Sequence, residues 1–203
     1  MKKYAVLHEP GDIVTLAGTR FVVLDVERRG SLPDSLFLLA LESVGASEFG
    51  SSNNYAESDL KKAVDKWLED MSKRGLDNAK LIPREIDLTT LDGSGCYGKL
   101  SVKAAPLTLD EAREYADIIP NAERWCWLAT GWSGPSKSDG DLALYVLSNG
   151  DWHYYLCSGS FGIRPALKIP SDLLLDSADK PDLSEVPTDT LLEEIRRRVV
   201  DKA

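Results

Sequence analysis

Cysteine and histidine are scarce in this sequence. Its 203 residues include three cysteines, Cys96, Cys126 and Cys157, and two histidines, His8 and His153. The number of cysteines is odd and no two of them form a Cys-x-x-Cys pair, which argues against a disulfide framework and against a zinc site. We therefore interpret the cysteines as small buried residues of a protein in a reducing compartment, and we expect neither a metal nor another cofactor.

Positive charge and long apolar runs are also lacking. The chain has 24 Lys and Arg against 33 Asp and Glu, a net charge of -9. Nucleic acids and anionic membranes attract clustered basic residues, so neither is an expected partner. No run approaches the ~20 apolar residues of a membrane-spanning helix, and no apolar segment typical of a signal peptide follows Met1 to Tyr4. We expect a protein that is cytoplasmic as synthesised, and association with a virus particle is left open.

Recognisable catalytic patterns are absent from the sequence. It contains no Ser-His-Asp order of a hydrolase triad, no phosphate-binding P-loop and no metal-spaced cluster, so we expect a protein that is not an enzyme. His153 lies between Trp152 and Tyr154 and has no evident acid or base partner. Calcium needs several converging oxygen ligands, and the acidic and amide side chains of one turn-rich stretch are better explained as solvated. These side chains are Asp139, Asp141, Asn149 and Asp151.

The chain divides into a folded domain and an appended end. The hydrophobic fraction of 43% is enough for a core, and we place one domain at residues 1–170. An acidic linker with prolines is predicted at 171–187 and a helix at 188–203. One stripe of this helix is apolar, and it either docks on its own domain or mediates self-association or attachment to a partner. The stripe consists of Leu191, Leu192, Ile195 and Val199.

The first half of the domain mixes strands and helices. A hairpin is predicted from residues 12–16 and 20–27, joined at Ala17-Gly18-Thr19, with a third strand at 36–41. A helix is predicted over 58–72, with Ser58 as its N-cap. Thr108, with Glu111 three residues later, forms a capping box that begins a second helix, which ends before Pro120.

Four strands are predicted in the second half, at Trp125 to Thr130, Leu142 to Leu147, Trp152 to Cys157 and Ile163 to Ile169. Asn149-Gly150 predicts a hairpin between the middle two. Alternation places Leu142, Leu144 and Val146 on one face of their strand and Ala143, Tyr145 and Leu147 on the other. The sequence leaves open which face is buried.

Aromatic residues accumulate in this second half, beside Ser, Gly, Asn and Asp. Tyr and Trp offer rigid contact area while small polar residues adapt, so the mixture is typical of a recognition surface. We expect burial of five residues, Trp125, Trp127, Leu128, Leu144 and Val146. The predicted ligand contacts are the aromatic, polar and charged residues between the outer strands: Trp132, Ser133, Ser136, Lys137, Asp139, Tyr145, Asn149, Asp151, Trp152, His153, Tyr155, Ser158, Ser160 and Phe161.

The order of short motifs from about residue 11 to residue 170 resembles a known domain type. The motifs are Gly11-Asp12-Ile13-Val14 with Phe21 to Asp25, Asn53-Asn54-Tyr55 with Ser58 and Leu60, Trp125-Cys126-Trp127-Leu128, Ala143-Leu144-Tyr145-Val146 with Gly150, and Gly162 to Leu167. They resemble an uncharacterised bacterial and phage domain family within the C-type-lectin-like fold, in the compact form shared by formylglycine-generating enzymes and the variable proteins of diversity-generating retroelements. The Arg-Ser that usually follows Trp-Leu in that family is Ala129-Thr130 here.

The resemblance implies an α+β fold, with two helices on a twisted, mostly antiparallel sheet whose first and last strands lie side by side. Arg164 is then expected to bond backbone carbonyls or a carboxylate where the fold closes, with ligand binding as the alternative. The implied function is ligand or receptor binding by a phage, prophage or bacterial protein, with a protein or glycan as the ligand. Two alternatives are a structural part of a phage particle attached through the last helix, and an oxidase of the formylglycine-generating type. The oxidase would require Cys126 and Cys157 to lie close together.

Overall fold

The computed structural model describes residues 2–4, 8–29, 32–135, 137, 139–171 and 173–177. The strands of the first half are β1 (Lys2–Tyr4), β2 (Ile13–Leu16), β3 (Thr19–Arg29), β4 (Leu32–Ala40), β5 (Ala46–Glu48), β6 (Arg84–Asp87) and β7 (Lys99–Val102). Those of the second half are β8 (Ala104–Ala105), β9 (Cys126–Gly131), β10 (Leu142–Val146), β11 (Trp152–Leu156), β12 (Ser160–Gly162), β13 (Ala166–Pro170) and β14 (Leu174–Ser177). The helices are α1 (Asp59–Lys73) and α2 (Leu109–Glu114). The predicted α+β class is confirmed.

The strands form three sheets. The largest has the order β1-β14-β2-β3-β4-β13-β8, the second has the order β11-β10-β9-β12-β5, and β6 pairs with β7 alone. Most neighbours are antiparallel, whereas β12 and β9 are parallel. The predicted opening hairpin is confirmed as β2 and β3. Ala17 (φ 47°) and Gly18 (φ 76°) both adopt positive φ, which suits the right-handed twist of a two-residue hairpin.

Both helices begin as the sequence predicts. The Ser58 hydroxyl accepts a hydrogen bond from the Lys61 amide (2.9 Å) at the start of α1, and the capping box of Thr108 and Glu111 is present in α2. Leu60, Val64, Leu68 and Met71 of α1 are buried and Trp67 is partly buried, and Gly75 (φ 101°) follows the end of the helix. The second helix is shorter than predicted, because α2 ends at Glu114 and the chain continues in turns before Pro120.

The C-terminal side of the domain differs from the prediction in two ways. The strand β14 lies within the range predicted as linker and pairs with both β1 and β2, so the boundary at residue 170 is wrong. The strand β13 starts only at Ala166 and pairs with β4, not with the hairpin strand β2. The first and last described strands, β1 and β14, do lie side by side. The rest of the predicted linker and the helix at 188–203 lie outside the described residues.

Two buried clusters cover opposite faces of the strands. Phe21, Leu38 and Trp127 belong to a cluster that α1 covers, while Leu39 and Leu128 belong to a second cluster beside α2. The residues 21–24 of β3, 36–40 of β4 and 126–129 of β9 are therefore buried on both faces, which explains why each of these runs is apolar. The strand β10 is also buried on both faces, because Leu144 lies in one cluster and Tyr145 in the other. The question of which single face is buried, left open by the sequence, therefore has the answer that both are.

Candidate functional site

The strand β11 is exposed on both faces, unlike its neighbour β10. It forms one edge of the second sheet and pairs with β10 through the predicted hairpin. Every residue from Trp152 to Leu156 is exposed, and four of the five are large and apolar or aromatic. Trp152 is 40% exposed, Tyr155 48% and Leu156 47%. Contiguous apolar surface of this kind marks interaction sites on folded proteins.

One face of β11, which we call the tryptophan face, carries Trp152, Tyr154 and Leu156. These residues lie opposite Val146, Leu144 and Leu142 of β10, and directly opposed residues share a face. The half-buried ring of Trp132 packs against Tyr154 with centroids 4.1 Å apart. The guanidinium of Arg113 lies 5.3 Å from the ring centroid of Trp152. The tryptophan face is thus a row of rings supported from below by the sheet and from one end by α2.

The opposite face of β11, which we call the histidine face, carries His153 and Tyr155. Tyr155 contacts the half-buried ring of Phe161 at 5.4 Å, and His153 lies beside the buried ring of Tyr145 at 6.1 Å. Trp125 packs on Tyr145 at 5.4 Å. These rings connect the exposed strand to the core, so the histidine face is a continuation of buried aromatic packing to the surface.

Most of the predicted contact residues reach the surface. Asn149, Asp151, Trp152, His153, Tyr155, Ser158 and Ser160 are exposed along the hairpin and the link after it, and Lys137 is exposed in the preceding loop; Trp132, Asp139 and Phe161 are half-buried. Ser136 lies outside the described residues. The set does not converge on one point, because the Asn149 turn and the Ser158 link lie at opposite ends of β11.

Two predicted contact residues are wrong, because the structure buries them. Ser133 is 1% exposed and Tyr145 is 5% exposed. Tyr145 lies on the central strand β10, where the rings of Trp127 (6.1 Å) and Phe161 (4.7 Å) enclose it. Burial accordingly raises the pKa of the Tyr145 hydroxyl. Neither residue can contact a ligand without rearrangement of the core.

Two residues predicted as buried are more accessible than expected. Trp125 is 44% exposed, because it precedes β9 and lies over Tyr145 and Phe161 from outside. Val146 is only half-buried, at the end of β10 beside the hairpin turn. The other three predicted core residues, Trp127, Leu128 and Leu144, are buried as expected. Trp125 therefore belongs with the exposed aromatic surface.

The loop that follows β9 is held in place by the buried side chain of Asn53. Its amide nitrogen donates to the carbonyls of Ser133 (2.8 Å) and Leu142 (3.0 Å), and its amide oxygen accepts from the Tyr97 hydroxyl (2.7 Å). A Cβ on Gly131 would lie 2.9 Å from the Asn53 side chain, so only glycine fits there. Asn53 draws the loop inward, which is why Ser133 is buried.

Lys137 is also engaged within the protein. Its ammonium donates to the Asp92 carboxylate at 2.6 Å. This bond and a hydrogen bond from the Thr90 hydroxyl lower the pKa of Asp92 to about 2. Lys137 is therefore tied to the loop around Asp92, while Asn53 holds Ser133 and Leu142 in place beside the tryptophan face.

The two cysteines that a thiol oxidase would require lie far apart. Cys126 is opposite Val146, and the amide of Cys157 bonds to the carbonyl of Asp141, so they are separated by roughly 17 Å along β10. Burial raises the pKa of Cys126 to about 11 and that of Cys157 to about 12. Both thiols are thus protonated at neutral pH and unsuited to nucleophilic attack.

Arg164 has the structural role that the resemblance implied. It is 6% exposed, and it donates from Nε to the Ala40 carbonyl (3.0 Å) and from Nη1 to the Pro120 carbonyl (3.2 Å). These bonds connect β4 to the turn after α2. Arg164 also forms part of the wall of a largely apolar cavity of about 260 Å³ between α2 and the second sheet.

Groups suited to metal binding do not cluster in the described part of the chain. No set of three His, Cys, Asp or Glu side chains is arranged to hold an ion there, and His153 directs Nδ1 at the carbonyl of its neighbour Tyr154 (3.2 Å). Within the same residues, no helix is long and apolar enough to cross a bilayer.

Sequence reasoning missed three exposed residues, Trp125, Tyr154 and Leu156. Alternation along the sequence already places Tyr154 and Leu156 on the same face as Trp152, but it does not show that this face is exposed. The exposure of Tyr154 and Leu156 depends on β11 being an edge strand, which no local pattern reveals.

Comparison with protein-family models, curated proteins and solved structures found no match.

Proposed function

We propose that this chain is a binding protein that recognises a protein or glycan ligand through the exposed aromatic surface of β11. The observation that carries the proposal is the exposure of β11 on both faces next to a strand that is buried on both faces. Keeping the four large apolar and aromatic side chains of β11 in water is unfavourable for a protein without a partner. A ligand that covers Trp152 and Tyr155 would remove this cost.

The support beneath the surface favours recognition by a preorganised site. The rings of Tyr154 and Tyr155 are held by Trp132 and Phe161, so they lose little conformational freedom when a ligand binds. The exposed polar residues of the hairpin turn and the Ser158 link supply hydrogen-bond donors and acceptors at the two ends of the strand. Neither catalysis nor a cofactor is needed for this function.

The scaffold in this proposal is a C-type-lectin-like domain of the retroelement variable-protein type, from a phage, prophage or bacterium. Exposed positions of β11 contribute little to the core, so such a scaffold would tolerate their substitution. The retroelement origin predicts a near-identical template repeat in the genome, beside the coding region for residues 125–169. Sequencing the locus tests it, and the absence of any repeat contradicts the retroelement origin without touching the binding function.

Binding is tested with the full chain on a glycan array and on bacterial cells by flow cytometry. We expect binding that falls at least about tenfold in a Trp152→Ser/Tyr155→Ser variant, because exposed aromatic anchors dominate such interfaces. The control is a Lys66→Ser/Glu69→Ser variant on the exposed face of α1. Equal binding by the wild type and both variants would contradict the proposal. The alternative of attachment through the last helix falls on residues outside those described, and no observation here favours it.

A further inference from the structure

The backbone of β11 offers hydrogen-bonding groups on the side away from β10. Within the described residues, no strand pairs with that side. The Leu147 amide donates to the Asp151 carbonyl and the Cys157 amide to the Asp141 carbonyl, each at 2.7 Å. These bonds define the register at both ends of the hairpin. In an antiparallel pair the hydrogen-bonded positions alternate, so His153 and Tyr155 bond to β10.

The remaining residues of the strand, Trp152, Tyr154 and Leu156, therefore direct their amides and carbonyls outward. The Leu156 carbonyl accepts from the Gly159 amide at 2.8 Å, and the Tyr154 carbonyl lies near the His153 ring. The three outward amides are the donors that an added strand would use. They belong to the same residues whose side chains form the tryptophan face.

The sequence of β11 has none of the features that normally protect a sheet edge. Exposed edges of soluble proteins usually carry lysine, proline or an inward-pointing charge, which prevents pairing with another chain. From Trp152 to Leu156 the strand has no Lys, Arg, Asp, Glu or Pro. An unprotected edge with large apolar side chains is suited to receive a strand, the mode of peptide recognition known as β-augmentation.

The charges around β11 indicate the chemistry of the partner. Asp151 precedes the strand and Asp141 lies opposite its C-terminal end; both are exposed, and the register puts both on the histidine face. The tryptophan face has Arg113 beside Trp152 and is otherwise apolar along the strand. An added strand would therefore meet apolar surface on one face and negative charge at both ends of the other.

We propose that the partner docks on β11 as an extended segment that alternates apolar and basic side chains. This inference rests on the proposed binding function and specifies the form of the ligand. Apolar side chains of the segment pack beside Trp152, Tyr154 and Leu156, while Lys or Arg side chains approach Asp141 and Asp151. The segment's main chain pairs with the three outward amides. A second copy of this chain fits less well, because two molecules of net charge -9 repel each other.

The probe for the test is a capped synthetic peptide of about nine alternating Val and Lys residues, long enough to span β11. Its binding to the full chain is measured by fluorescence anisotropy. Four control peptides accompany it. One has Glu in place of Lys, one is N-methylated at every amide, which blocks strand pairing along both edges, and one is N-methylated at every second amide, which blocks pairing along one edge. A version methylated on the other set of amides completes the pair, since the peptide can pair through either edge.

We expect the Val/Lys peptide to bind and the Val/Glu peptide to bind at least about tenfold more weakly, because like charges repel. Methylation of both edges together should abolish binding. The chain variant Asp141→Asn/Asp151→Asn should weaken binding of the Val/Lys peptide and should not weaken binding of the Val/Glu peptide. Unchanged affinity after methylation of both edges would overturn strand pairing, whatever the protein variants do.

Two variants at one position separate backbone pairing from side-chain recognition. Tyr154→Pro removes an outward amide and the ring, whereas Tyr154→Ser removes the ring alone. We expect Tyr154→Pro to bind the peptide at least about tenfold more weakly than Tyr154→Ser, since it also loses a main-chain donor. Equal affinities of the two variants would contradict the inference. The methylated peptides keep the test decisive if Tyr154→Pro does not fold.

Failure of this inference and failure of the proposed function have different signatures. If glycans or cells bind through Trp152 and Tyr155 but no Val/Lys peptide binds, the binding function stands and the extended partner is wrong. If light scattering shows a dimer that Tyr154→Pro converts to a monomer, the edge is occupied by a second copy and the inference is wrong. If neither cells, glycans nor peptides bind, both fail.

Discussion

Asn53 shows how one buried amide determines the position of a whole loop. Its side-chain amide donates to the carbonyls of Ser133 and Leu142 and accepts from the Tyr97 hydroxyl. Its backbone amide donates to the Gly140 carbonyl at 3.1 Å. Buried polar groups without partners are costly. Asn53 therefore positions the carbonyls of Ser133, Gly140 and Leu142 beside the tryptophan face, although it is itself buried.

We predict that Asn53→Ala lowers the free energy of unfolding by roughly 3 kcal/mol. It removes the side-chain donor of the Ser133 carbonyl and the acceptor of the Tyr97 hydroxyl, and it leaves the Leu142 carbonyl with the Trp132 amide as donor. Urea denaturation followed by circular dichroism measures this change. Hydrogen exchange of the amides from Gly131 to Asp141 should accelerate in the same variant. The control is Asn121→Ala at an exposed position, for which we expect a change within about 0.5 kcal/mol. Similar values for the two variants would contradict the anchoring role.

At the scale of the element, neighbouring strands of the same hairpin have opposite environments. The strands β10 and β11 are joined by the turn at Asn149-Gly150, where Gly150 adopts a φ of 93°. One strand has partners on both sides and packing on both faces, while the other has one partner and is exposed on both faces. The difference arises from position in the sheet, since both strands are rich in aromatic and apolar residues.

A pair of proline substitutions tests the direction of the backbone groups in β11. We predict that His153→Pro costs about 3 kcal/mol of unfolding free energy, because it removes an amide bonded to β10. Tyr154→Pro should cost clearly less, since its amide points away from the sheet and proline is tolerated at edges. His153→Ala and Tyr154→Ala correct for loss of the side chains. Chemical denaturation of the four variants measures their free energies of unfolding. Each Pro variant is compared with the Ala variant at the same position, and equal Pro-minus-Ala losses at the two positions would refute the assigned register.

At the scale of the whole molecule, the core holds several weak acids in their neutral form. Burial raises the pKa of Cys126 to about 11, of Cys157 to about 12 and of Tyr115 to about 12, and it raises the pKa of Tyr55 further. Tyr55 and Cys157 belong to the first buried cluster, Tyr115 packs against the second, and Cys126 is buried as well. Ionisation of Cys126, Cys157 or Tyr55 would place a charge in a buried site, and ionisation of Tyr115 would place one near several carboxylates.

These shifts predict loss of stability in alkali. Below pH 8.5 the thiols are neutral in the folded and unfolded chain, so their contribution is complete. Between about pH 9 and pH 12 the unfolded chain loses protons that the folded chain retains, and each thiol lowers the unfolding free energy by up to ~1.4 kcal/mol per pH unit. Urea midpoints at pH 8, 10 and 11 measure the slope.

A Cys126→Ala/Cys157→Ala variant provides the control for this prediction. Its stability at pH 8 will differ from that of the wild type because two core side chains are smaller, and only the dependence on pH is compared. We expect a shallower decline above pH 9, with the remaining slope due to the tyrosines and lysines. A decline as steep as that of the wild type would show that the thiols ionise freely in the folded protein.

The local elements of this protein are determined by its sequence. The Ser58 and Thr108 caps, the Ala17-Gly18 turn and the Asn149-Gly150 hairpin all use interactions between residues close together in the chain, and all were predicted. The mixture of strands and helices follows from the same local patterns. The predicted helix boundary is inaccurate where the pattern of apolar residues weakens, as at the end of α2.

Tertiary structure alone decided which surface is available for binding. Tyr145 and Tyr155 have similar sequence surroundings, yet one is enclosed by Trp127 and Phe161 and the other is 48% exposed. Ser133 is buried because Asn53, eighty residues earlier, bonds to its carbonyl. The position of β14 beside β2 is equally nonlocal. Burial depends on which strands become neighbours, and that is a property of the assembled sheets that no short segment encodes.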